Sequence, residues 1–113
     1  MKTGSLLRAV ARGYTDAKKR GVYSKVTDCW DSVLESFGND AEVINCYCFK
    51  RRSVIYISCI AYMDVSTVRR TMYRFLWKFL SEAGKRGLTG DLKKLTDTYG
   101  KVFTKHRRND KIY

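Results

Sequence analysis

Residues 41–63, AEVINCYCFKRRSVIYISCIAYM, decide the fold. Two runs rich in Val, Ile, Tyr, Phe and Cys flank the polar Lys50-Arg51-Arg52-Ser53. β-Branched and aromatic residues in runs of this length suit pleated strands, so the expectation is an antiparallel β-hairpin. An even loop of two or four residues sets Phe49 opposite Val54, Tyr47 opposite Tyr56 and Asn45 opposite Ser58. Ile44, Cys46, Cys48, Ile55, Ile57 and Cys59 then form the core face, and Val43, Asn45, Tyr47, Phe49, Val54, Tyr56, Ser58 and Ile60 the other. A three-residue loop would slip the register and bring Tyr56 and Ser58 beside the cysteines. Arg51-Arg52 is poor chemistry for a tight primed turn, which favours the four-residue loop. A lone hairpin is marginal in water. It must pack on the helix that follows or pair with a further strand, including one from a second molecule, so a homodimer stays open.

The next stretch, 65–83, reads as a long amphipathic helix. Val65, Val68, Met72, Phe75, Leu76, Phe79, Leu80 and Ala83 recur at steps of three and four and form one stripe to be buried. Arg70, Arg74 and Lys78 lie four apart on the opposite face with Tyr73 and Trp77 beside them, and Arg69 sits at its margin. Asp64 or Ser66 can cap the start, and Gly84 suits the end.

Upstream, residues 5–20 and 22–37 each carry a helical apolar repeat and meet at Gly21, which predicts a helical hairpin. In the second, Val22, Val26, Cys29, Trp30, Val33, Leu34 and Phe37 face inward and Asp28, Asp31 and Glu35 outward. Downstream, a shorter C-terminal helix is expected from Thr89 or Gly90, with Leu88, Leu92, Leu95, Tyr99 and Val102 or Phe103 on its apolar line. The expected fold class is therefore α+β, in the order α-α-β-β-α-α, with residues 1–104 as a single domain and 105–113 as a basic C-terminal tail.

The charge is large and segregated. The chain of 113 residues has a net charge of +12. Residues 1–25 carry a net +6, residues 26–49 a net −5 with no Lys or Arg, and residues 50–113 a net +11. Such a field attracts polyanions, nucleic acid first, then an anionic membrane or an acidic protein surface. The acidic block could pair internally with a basic helix, repel nucleic acid from one side, or serve as a second contact surface.

Four cysteines (29, 46, 48 and 59) occur without a secretory signal pattern, which points to free thiols in a reducing cytoplasm or nucleus. The longest apolar run, near Val54 to Met63, is too short for a membrane span. Cys46-x-Cys48 with Cys59 lacks paired Cys-x-x-Cys knuckles and a fourth ligand, so no metal is assigned. Asp28, Asp31 and Glu35 have the spacing of any exposed acidic helix face. The glycine-spaced loop from Gly84 to Gly90 lacks the Lys-Ser or Lys-Thr ending of a nucleotide-binding loop. With one histidine, at position 106, no nucleophile–base arrangement offers itself, so neither catalytic residues nor a cofactor are expected.

The cationic elements carry the functional expectation. They are the turn Lys50, Arg51, Arg52; the helix face Arg70, Tyr73, Arg74, Trp77, Lys78; the loop Lys85, Arg86; and the tail Lys105, Arg107, Arg108. Phosphates need spaced positive donors, and exposed aromatic faces let unpaired bases stack. The sequence thus predicts a small non-catalytic nucleic-acid-binding protein, with single strands or RNA favoured. The alternative is a regulator or inhibitor that docks on another protein through its charged helix faces. A phage or viral accessory role suits either. The two readings part on geometry: basic elements converging on one aromatic groove favour nucleic acid, whereas scattered patches beside a flat apolar surface favour a protein.

Overall fold

The computed structural model describes residues 3–99, which form six α-helices and a short 3₁₀ turn. Helix α1 spans Thr3–Arg20, α2 Ser24–Glu35, α3 Ala41–Cys48, α4 Val54–Ala61, α5 Val65–Lys85 and α6 Thr89–Tyr99, with the 3₁₀ turn at Gly38–Asp40. No strand occurs among the described residues, so the α+β class with its hairpin is overturned in favour of an all-α fold. Val102, Phe103 and the proposed tail at 105–113 lie outside the described residues.

The correction has a local cause. The turn falls where expected, between residues 49 and 53, but the runs on either side coil. Val43 and Tyr47, and Ile44 and Cys48, are pairs four apart, and α3 buries all four together with Cys46. A strand would have put Val43 and Tyr47 on the face away from Ile44 and Cys48. Ser53 starts α4 as an N-cap, its hydroxyl accepting from the Tyr56 N–H at 3.1 Å. Of the hairpin's intended core face, Ile55 and Cys59 are exposed. Burial against neighbouring helices outweighs the strand preference of β-branched residues, which is worth only tenths of a kcal/mol per residue.

Helix α5 is the axis of the molecule, touching all five other helices. Its buried residues are Val68, Thr71, Met72, Phe75, Leu76, Phe79 and Ala83, close to the stripe in the sequence. Trp30 of α2 fits between Phe75 and Phe79, with ring centroids 4.8 and 5.4 Å away, and Tyr14 of α1 stacks on it at 5.2 Å. A fully buried side chain of this size contributes about 1.5–3 kcal/mol, so this cluster ties α1 and α2 to α5. The α1–α2 hairpin is as expected: Gly21 takes φ +66°, and the Val22 N–H returns to the Ala17 carbonyl at 3.1 Å to close α1. Helix α6 lies along α1. No described helix is long and apolar enough to cross a membrane.

Arg8 ties α1 to α3. Its guanidinium lies 3.9 Å from the Tyr47 ring centroid and donates to the Tyr47 carbonyl at 3.3 Å and the Arg52 carbonyl at 3.2 Å. The last turn of a helix leaves carbonyls without intrahelical donors, and Arg8 serves one of them. Close by, a Cβ on Gly4 would strike the Tyr47 hydroxyl, so a larger residue there would have to displace the ring that Arg8 covers.

Candidate nucleic-acid interface

The outer face of α5 presents the expected residues as a strip. Arg70, Arg74 and Lys78 follow one another at one-turn intervals, with Arg69 alongside, all exposed. Tyr73 and Trp77 stand among them at 53% and 50% exposure, their ring centroids 5.9 Å apart. Lys85 falls two turns beyond Lys78 on the same side of the helix. The strip follows directly from burying the opposite face.

Two surroundings shape it. At one end Arg69, Arg70 and Tyr73 border a groove of about 730 Å³ whose other wall includes Gly4, Tyr47 and Val54. No carboxylate among the described residues pairs with Arg69 or Arg70. Further along, Tyr73, Arg74, Trp77 and Lys78 line a shallow hollow with Ser36 and Phe37. Arg74 and Lys78 both lie over the Phe37 ring, 5.4 and 5.6 Å from its centroid. Arg74 also meets Asp40 at a long 3.4 Å, and Lys78 donates to the Ser36 hydroxyl at 3.0 Å. An exposed pair of that length is worth well under 1 kcal/mol and yields readily to a phosphate.

The other predicted cations do not all join this strip. Lys50 is bound to Glu42 at 3.0 Å; that hydrogen bond, with a second from Cys46, holds the Glu42 carboxyl below the usual range and pushes the Lys50 ammonium up. Arg51 shares a groove with Arg12 and Lys19 of α1, and Arg52 lies over the Tyr56 ring at 5.0 Å. Arg86 folds back on Glu82 at 3.2 Å. Lys105, Arg107 and Arg108 lie outside the described residues. The basic elements thus form two groups, one on α5 and one where the 49–53 turn meets α1, and do not converge on one aromatic groove; of the two arrangements set out above, this is the one that favours a protein partner, so the case for nucleic acid narrows to the α5 strip alone. Sequence reasoning missed Phe37, the platform under Arg74 and Lys78, because its apolar character only marked it as core. It also missed Arg12 and Lys19 as neighbours of Arg51, since their helix carries no sign of what packs beside it.

Three of the five carboxylates of the acidic block are paired among the described residues. Asp31 binds Lys18 at 3.1 Å and accepts from the Tyr14 hydroxyl at 2.6 Å, while Asp40 and Glu42 hold Arg74 and Lys50. Burial, and then the bond to Asp31, push the Tyr14 phenol well above its usual range. Cys29, Cys46 and Cys48 are buried and Cys59 is exposed. Burial pushes the Cys48 thiol up to about 12 and raises Cys29 and Cys46 as well. Among the described residues no three His, Cys, Asp or Glu side chains gather as metal ligands.

Comparison with protein-family models, with curated proteins and with solved structures finds no match to this chain.

Proposed function

We propose that this protein binds nucleic acid without transforming it, taking the phosphate backbone of a single strand along the outer face of α5. The observation that supports this most is the pairing of uncommitted cations with half-exposed aromatics on one rigid helix: Arg69 and Arg70 without a carboxylate, Tyr73 and Trp77 between them and Lys78. Arginine and lysine supply counterion release, and the two rings offer π-faces to unpaired bases. The helix fixes the backbone positions of these side chains at regular spacing, so binding costs side-chain order and no backbone order. Of the acidic block, Asp40 alone among the described residues pairs with the strip, at a long 3.4 Å from Arg74, so α5 keeps a net positive face. An acidic protein surface is the competing partner for the same strip.

Fluorescent single-stranded RNA, single-stranded DNA and duplex DNA titrated across a salt series test this reading, with Arg70→Glu, Arg74→Glu beside the wild type and its fold checked by circular dichroism. Four phosphate contacts predict a log–log salt slope of about −3 for single strands. The double variant should lose most of the affinity. Weak binding that ignores both salt and the substitutions would overturn the reading and point to an acidic protein instead.

A further inference from the structure

Helix α4 contains no charged residue, and of its eight residues only Ile57 is buried. Ile55, Tyr56, Cys59 and Ile60 stand exposed on one face, and Tyr62, 95% exposed, extends it. Tyr62 also holds φ 54°, a left-handed conformation that glycine would adopt at less cost. In a chain with 30% charged residues, such a continuous apolar face marks a contact surface.

The two ends of this face differ in sign. Arg51 and Arg52 stand before α4, and no carboxylate among the described residues pairs with either. Asp64 follows it, with no ion pair among the described residues, while Asp40 and Glu42, which line the groove beside Ile60, Ala61 and Met63, are already met by Arg74 and Lys50. The helix macrodipole has the same order, positive at the start and negative at the end. An anionic membrane or a uniformly acidic peptide would meet repulsion at the acidic end. A second copy of this chain, turned by a two-fold axis, meets opposite charge at both ends.

We infer that α4 is the contact helix of a symmetric homodimer, packed antiparallel on the α4 of a second copy. Within the helix, an axis level with Ser58 sets Tyr56 beside the partner's Ile60; Arg52 and Asp64 lie just outside the two ends of α4, so the antiparallel arrangement brings the basic start of one copy to the acidic end of the other. The Ser58 hydroxyl already donates to the Ile55 carbonyl at 2.8 Å, so it can sit at a dry axis without an unmet donor. Cys59 is one residue from the axis, which offsets the two thiols by only about 3 Å along the helix. The contact helix is about 12 Å long, small beside a standard interface, so the dimer is reversible and concentration-dependent. The inference does not rest on nucleic-acid binding and is tested without nucleic acid.

Sedimentation velocity of the full chain under reducing conditions, from low micromolar to several hundred micromolar, should show a monomer–dimer equilibrium. Ile60→Asp should abolish the dimer. Arg52→Glu should weaken it about tenfold, and adding Asp64→Lys to that variant should restore it. Because Asp64 precedes α5, circular dichroism must show each variant folded. A short bis-maleimide should trap a covalent dimer through Cys59, and Cys59→Ser should abolish the product. A monomer at every concentration overturns the inference. So does a dimer indifferent to Ile60→Asp, or one that the charge swap fails to restore.

Discussion

Helices α3 and α4 have the same length, follow one another across one turn and are both rich in apolar residues, yet α3 buries Val43, Ile44, Cys46, Tyr47 and Cys48 while α4 buries Ile57 alone. Their neighbours explain the difference. Helix α3 is packed against α1, α4, α5 and the 3₁₀ turn, whereas among the described residues α4 packs chiefly against α3 and α5. Apolar content sets how much face a helix could bury, and its position in the fold decides how much it does bury. What α3 gives to the core, α4 leaves for a partner.

Alanine substitution should expose this contrast most strongly. Ile44→Ala should cost about 3 kcal/mol in urea unfolding, since its side chain is fully enclosed. Ile55→Ala, 67% exposed in the monomer, should cost less than about 0.5 kcal/mol at dilute concentration. Equal losses would break the comparison. The next effect concerns what secures α3. Arg8→Ala removes both carbonyl bonds and the stacking on Tyr47, and should lower stability by about 1–2 kcal/mol in the same assay.

The cysteines sharpen the contrast through pH. Cys48 on α3 is protonated up to about 12, against 9.0 for an exposed thiol. A folded-state value above the unfolded one means that the thiol's contribution to stability is intact below pH 9 and is lost as pH rises from there towards 12. Unfolding measured at pH 10 should therefore show a loss of about 1 kcal/mol from this residue, which Cys48→Ala removes. In the native protein a maleimide should modify Cys59 on α4 first, with Cys29, Cys46 and Cys48 reacting only on opening. One expected effect is a gain: Tyr62→Gly should stabilise the monomer by about 0.5–1 kcal/mol, because glycine tolerates φ > 0, while weakening the dimer.

The same pair of helices marks where the sequence stops being legible. Helix α5 was readable because Val68, Met72, Phe75, Leu76 and Phe79 fit one period only. The α1–α2 hairpin was readable because Gly21 can close a helix in a conformation few other residues accept. Residues 41–63 satisfy two periods at once: Ile44, Cys46 and Cys48 alternate, while Val43 with Tyr47 and Ile44 with Cys48 stand four apart. Ser53, three residues before the N–H it caps, was the local sign of a second helix, and the residues around it outweighed it on strand propensity alone. The α5 strip was legible for the reason α5 was, since a buried stripe fixes its opposite face. The direction taken by Lys50, Arg51 and Arg52 was not, because a turn's outlook depends on α1, which is remote in sequence.

The central claim, that the α5 strip receives a single strand, is tested most directly by the emission of Trp77. The chain has two tryptophans, and Trp30 is enclosed at 1% exposure while Trp77 is half exposed. Titrating oligouridylate at low salt should quench and shift the exposed component as bases stack on the indole. The response should reverse on adding salt and be absent in Trp77→Phe. Unchanged Trp77 emission, under conditions where the oligonucleotide is shown by anisotropy to be bound, would contradict the account and move the binding surface away from α5.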